Sequence, residues 1–119
     1  ALVEQLDALG VDLVREQTPP PALLAPFIRR DETLLDATRA KIEQRKALVA
    51  LLDDRLVSVE ATLGQMGAHA RVIPLDTIDE VSHRTDMGGE ITIVADGESH
   101  EFTHVPLRKF ERFVAAING

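Results

Sequence analysis

At 119 residues the chain has room for one domain with a single core, and its 45% apolar and 28% charged residues are ordinary for a soluble globular protein. A net charge of −7 opposes general attraction to nucleic acid or an anionic membrane, and four Phe with no Trp or Tyr offer few stacking platforms for single strands or sugars. The absence of cysteine excludes a disulfide frame, a thiol nucleophile and a thiolate metal site. With no signal-peptide pattern and no long apolar run, the reading is a cytoplasmic protein.

Residues 2–16 read as an amphipathic helix with Leu2, Leu6, Leu9 and Leu13 in one stripe, weakened at Gly10 by about 1 kcal/mol relative to Ala. The prolines at 19–21 stop the helix and make a stiff spacer, and Ala22 to Ile28 reads as one or two helical turns. The chain therefore divides into an arm at 1–18, a proline-rich spacer and short helix at 19–30, and a folded domain at 31–119. The leucine stripe has two uses open to it: packing on the domain behind it, or docking on another copy or a partner protein.

Periodicity leaves residues 32–43 open between helix and strand, since Leu34, Leu35, Thr38 and Ile42 nearly fit a helical stripe. Lys46 to Glu60 is clearer: two apolar runs flank Asp53-Asp54, a hairpin turn. Gly64 to His69 reads as a loop. The run Arg71 to Ile78 contains Pro74, which cannot donate to a sheet ladder and so belongs at an edge or a bulge. His83 is assigned to the next loop, before a turn at Gly88-Gly89.

The last third is the strongest signal. Glu90 to Ala95 and Glu98 to Val105 flank Asp96-Gly97, a pair suited to a type I′ turn because both central residues need φ > 0. Pro106 opens a helix in which Leu107, Phe110, Val114 and Ile117 form an apolar stripe beside Phe113, with Arg108, Lys109, Glu111 and Arg112 outward. The fold class is α+β, mainly β: six or seven short antiparallel strands, curled into a partly open barrel or packed as two sheets, capped by a C-terminal helix and preceded by a helical arm.

Five segments in order resemble the short bacterial pleckstrin-homology (PH)-like domains. They are Asp31-Glu32-Thr-Leu-Leu35; Leu48 to Val59 with Arg55-Leu56 after the turn; Ile73-Pro74-Leu75 followed by Ile78 and Val81; Gly89-Glu-Ile91-Thr-Ile93; and Phe102 to Ile117. The match spans about residues 22–117, departs at Asp53, where the family often has Thr, and does not reach residues 1–18. It implies a strand rather than a helix at 32–43. Such domains imply an interaction or assembly module, with a protein partner or the chain itself.

The resemblance also implies an alternative. In lipid-binding relatives the turn between the first two strands holds phosphate through basic residues, and here Arg39, Lys41, Arg45 and Lys46 give residues 39–46 a charge of +3 against −8 over 47–105. That makes an anion or phospholipid headgroup the second candidate ligand, with the surrounding negative charge opposing a membrane.

Metal binding finds weak support. His100 and His104 would share a strand face about 13 Å apart, too far for one ion. The sequence carries no phosphate loop, nucleophile elbow or His-Glu-x-x-His motif. The expectation is a non-enzymatic chain without cofactor, metal, nucleic-acid partner or small-molecule substrate.

Overall fold

In the computed structural model the described residues are 2–11, 23–61, 68–85 and 88–118, with the backbone alone described at 2, 3, 61, 68 and 69. Two helices, α1 (Leu2–Ala8) and α2 (Leu107–Asn118), bracket seven strands: β1 (Asp36–Ile42), β2 (Arg45–Leu51), β3 (Arg55–Ala61), β4 (Ala68–Pro74), β5 (Ile78–Arg84), β6 (Gly89–Ala95) and β7 (Glu98–Val105). All pairings are antiparallel, in the order β4-β3-β2-β1-β7-β6-β5. β1 meets β7 through the single register pair Lys41–Thr103, and neither terminal strand pairs with the other. The fold is thus mainly β, an open seven-stranded sheet with a C-terminal helix over it.

The stretch left open by periodicity is strand: β1 occupies Asp36–Ile42. Turn chemistry explains the hairpins. Asp96 and Gly97 both take positive φ, 50° and 80°, as a type I′ turn requires. Glu43 and Gln44 do the same at 52° and 69° without a glycine, so the β1–β2 tip is acidic and polar while Arg45 and Lys46 already belong to β2. Two loop assignments are corrected: His69 lies in β4 and His83 in β5, each in register with its neighbouring strand.

The continuous apolar run in β2 has a physical cause: both faces of that strand are covered. Ala47, Val49 and Leu51 point to an inner core with Ala40, Ile42, Leu56, Ile73, Ile91, Ile93, Phe102 and the α2 residues Phe110, Phe113 and Val114. Leu48 and Ala50 point to an outer core with Ala37, Val57 and Val59, covered by Leu6, Val11, Leu24 and Leu34. Gly89 is required where α2 crosses β6, because a Cβ there would lie 2.4 Å from a Phe110 ring carbon.

α1 is shorter than its hydrophobic pattern implies. The Gly10 N–H bonds the Asp7 carbonyl and the Val11 N–H the Leu6 carbonyl, both at 3.0 Å, with Gly10 at φ 85°. That is a Schellman ending, in which glycine takes the left-handed position and the residue after it packs back on the helix. Val11 and Leu6 are accordingly both buried in the outer core. Gly10 is a stop signal, and residues 12–16 of the expected helix lie outside the described residues.

α2 corrects two residues. Leu107 is 60% exposed, whereas Lys109, expected to face water, is 6% exposed. Its ammonium donates to Asp36 Oδ1 at 2.8 Å and to the Leu9 carbonyl, which the ending of α1 leaves without an intrahelical partner. Arg112 Nε approaches the other Asp36 oxygen at 3.6 Å. One lysine therefore joins α2, β1 and α1. Lys109→Met is expected to cost about 3–5 kcal/mol, because it leaves a buried carboxylate without its lysine. In Asp36→Asn with Lys109→Met the loss should fall well below the sum of the singles; urea unfolding of the four-member cycle measures it.

Candidate functional site

The leucine stripe divides on inspection. Leu6 is fully buried within this chain and Leu9 partly so, both against the outer core. Gln5 fixes the arm further, its Oε1 accepting the Leu34 N–H at 2.8 Å. The Leu2 side chain and Leu13 lie outside the described residues. The described part of the arm thus covers its own domain.

The basic cluster also divides, because strand neighbours face opposite ways. Arg39 and Lys41 share the outer face with Lys46, and Lys41 stands directly opposite Lys46 in the register. Arg45 turns to the inner face, where its guanidinium lies 3.9 Å from the carboxylate of Glu60, a residue only 2% exposed. The four cations do not converge on one point.

The histidines follow the same logic. His100 sits inward, opposite Ile93, and its Nδ1 lies 3.5 Å from the Arg71 guanidinium, which donates. Burial, and secondarily Arg71, lower its pKa, with Glu98 opposing. His104 takes φ 56° beside a register shift between Gly89 and Ile91, so Val105 takes the inward position and His104 is exposed. This bulge removes the shared face expected for His100 and His104.

Carboxylates gather at one end of the sheet. Oxygens of Glu32, Asp53 and Asp54 lie within 4.8 Å of one another beside a cavity of about 420 Å³. Their chemistry is a clasp. Arg55 donates to both Glu32 oxygens at 2.5 and 2.7 Å, to Asp54 at 2.5 Å and to the Phe27 carbonyl at 2.8 Å. The Arg29 N–H adds a bond to Glu32 at 2.8 Å. Hydrogen bonding from Arg55, then from the Arg29 backbone, holds the Glu32 carboxyl at about 2 and raises the arginine further.

The sheet edges remain. Among the described residues no strand lies beyond β4 or β5. β5 is protected as edges usually are: it carries Asp79, Glu80 and Arg84, and its pairing is irregular between Ile78 and Glu80. β4 has less of this protection: it carries Arg71 and ends on Pro74, but its pairing is regular. It runs in unbroken register with β3 for seven pairs, has no acidic residue, and presents Ala70 and Val72 to solvent. Pro74 flagged this edge in the sequence. The exposure of Val72 carried no signal there, because a half-buried valine and a core valine have the same pattern.

No family model matches the chain, and no curated protein does. Among solved structures it is similar to the C-terminal domain of an unknown protein from Leishmania infantum, at 15% identity over 81% of this chain and 88% of that one, with a TM-score of 0.62. At that identity the likeness concerns the fold alone.

The clasp generates a pH prediction. Glu32 is held below its ordinary value of 4.5, so its contribution is complete above pH 4.5 and is lost as pH falls toward 2. Glu32→Gln should lower the melting temperature at neutral pH, and the gap to wild type should close between pH 4.5 and 2 in calorimetric scans.

Proposed function

We infer that this chain is a non-catalytic module of PH-like fold that works through protein–protein contact, including contact between its own copies. The observation that carries the reading is the β4 edge, regular in its pairing and free of carboxylates. A terminal strand offers unpaired N–H and C=O groups in a row, which another strand can satisfy, and proteins that avoid such pairing blunt the edge. The motif order over residues 22–117 and the seven strands followed by a helix support the PH-like frame. The cysteine-free chain fits a cytoplasmic setting.

Anion or phospholipid-headgroup binding is the second reading, favoured by the resemblance and by the placement of Arg39, Lys41 and Lys46 together on the outer face next to the β1–β2 turn. Against it stand the acidic turn at Glu43 and the net charge of −7.

Light scattering after size exclusion, over a concentration series, tests the first reading on the full chain and on one lacking residues 1–20. The full chain should exceed its 13.1 kDa monomer mass, and the trimmed chain should keep its association while melting earlier, having lost the cover of the outer core. Association lost on trimming, with the domain still folded, would transfer the role to the leucine stripe. For the second reading, neither wild type nor Lys41→Glu with Lys46→Glu should sediment with phosphatidylserine vesicles. Sedimentation of wild type alone would favour the anion site.

A further inference from the structure

We propose that two copies of this chain pair antiparallel along β4 about a two-fold axis at Val72, joining two seven-stranded sheets into one; the proposal rests on the self-association reading above and names its surface and its partner.

The phase of the β3–β4 ladder shows which backbone groups are free. The Leu75 N–H bonds the Asp54 carbonyl at 2.9 Å, one step beyond the Arg55–Pro74 register pair. In an antiparallel ladder that makes Arg55–Pro74 a pair without direct bonds and Leu56–Ile73 a bonded one. Ile73 and Arg71 therefore turn their backbone groups to β3, and Pro74, Val72 and Ala70 turn theirs away. Pro74 has no N–H to lose by facing outward. Ala70 and Val72 each offer an N–H and a C=O to an incoming strand.

The side chains indicate what that strand is. In register across the outer face, Ala37 opposes Ala50, Ala50 opposes Val57 and Val57 opposes Val72. The first three are fully buried, whereas Val72, last in the row, is 45% exposed. The apolar row runs off the edge of the sheet unfinished. A second copy related by a two-fold at Val72 completes it with its own valine and the same row in reverse.

Charge also permits this register. An axis at Arg71 would set two arginines face to face, a destabilising pair. The axis at Val72 instead sets Arg71 opposite Ile73 of the second copy and Ala70 opposite Pro74, where the Ala70 N–H reaches the proline carbonyl and the Ala70 carbonyl, facing a nitrogen without hydrogen, keeps its water. On a chain of charge −7, copies repel generally, and of the two open edges only β4 has no carboxylate of its own. The interface is isologous, the commonest closed arrangement, so it ends at a dimer.

The cysteine-free chain gives a clean test. Val72→Cys places one thiol on the axis, where a bonded antiparallel pair has Cα atoms about 5.5 Å apart, within disulfide range. With air or a short bis-maleimide it should form a covalent dimer more than about tenfold faster than Leu107→Cys, an exposed control away from the edge, because pairing raises the effective concentration. Val72→Lys should give a monomer with unchanged circular dichroism where wild type has twice 13.1 kDa. Wild type that associates equally well as Val72→Lys overturns the edge and leaves self-association standing on another surface. Wild type at 13.1 kDa throughout overturns self-pairing altogether and leaves the edge to a foreign strand. Equal cross-linking of the two cysteine variants overturns the axis.

Discussion

The buried contact between Lys109 and Asp36 is the constraint on which the assembly of this domain depends. It is the place where the end of α1, the start of β1 and the first turn of α2 meet. A carboxylate taken out of water is stable only with its charge matched, and here the match comes from a residue 73 positions away. Arg112, largely exposed and 3.6 Å from the other carboxylate oxygen, adds only a secondary charge. The pair thus turns a general preference of α2 for the sheet into one particular seat. The Leu9 carbonyl, accepting from the same ammonium, adds the arm to that seat, where the positive charge also meets the negative end of the α1 dipole.

From this seat follows the two-faced character of the sheet. α2 closes the inner core, and the arm with residues 23–34 closes the outer one, so β2 can be apolar on both sides without exposing a patch. The clasp of Arg55 on Glu32 and the Phe27 carbonyl performs for the second covering segment what Lys109 performs for the first. In both cases a cation from the β-domain or its helix holds a carbonyl oxygen of the cover, Leu9 or Phe27, while paired with a carboxylate, Asp36 of β1 or Glu32 of the cover itself. The outer core is therefore sealed by polar fasteners at its margins, with Leu6 as its central plug.

What the sequence disclosed and what it hid divide along physical lines. Asp96-Gly97, the Asp53-Asp54 turn and Pro74 were legible because local backbone chemistry dictates them whatever surrounds them. β2 was legible because a continuous apolar run between turns has few other uses. Gly10 was legible only as a weak point: reading it as a stop requires knowing that Val11 folds back on Leu6. Lys109 was read as outward because helical periodicity classifies by residue type, and a lysine is buried only when a distant carboxylate waits for it. His104 escaped because a bulge breaks the alternation on which strand faces are assigned. The resemblance settled β1, which periodicity could not. The relation of Lys41 to Lys46 and of Arg45 to Glu60 needed the register, since charge counting treats all four cations as one patch.

The contrast between the two sheet ends is the feature that links fold to use. β4 and β5 leave opposite sides of the same corner, where Leu75–Thr77 connects them, and both would aggregate if left bare. Charge and irregularity protect β5, whereas β4 has Arg71 and Pro74 but no carboxylate, and its Val72 stands opposite the fully buried Val57. A regular edge free of carboxylates, carrying an apolar row out to its last strand, is what the proposed pairing requires.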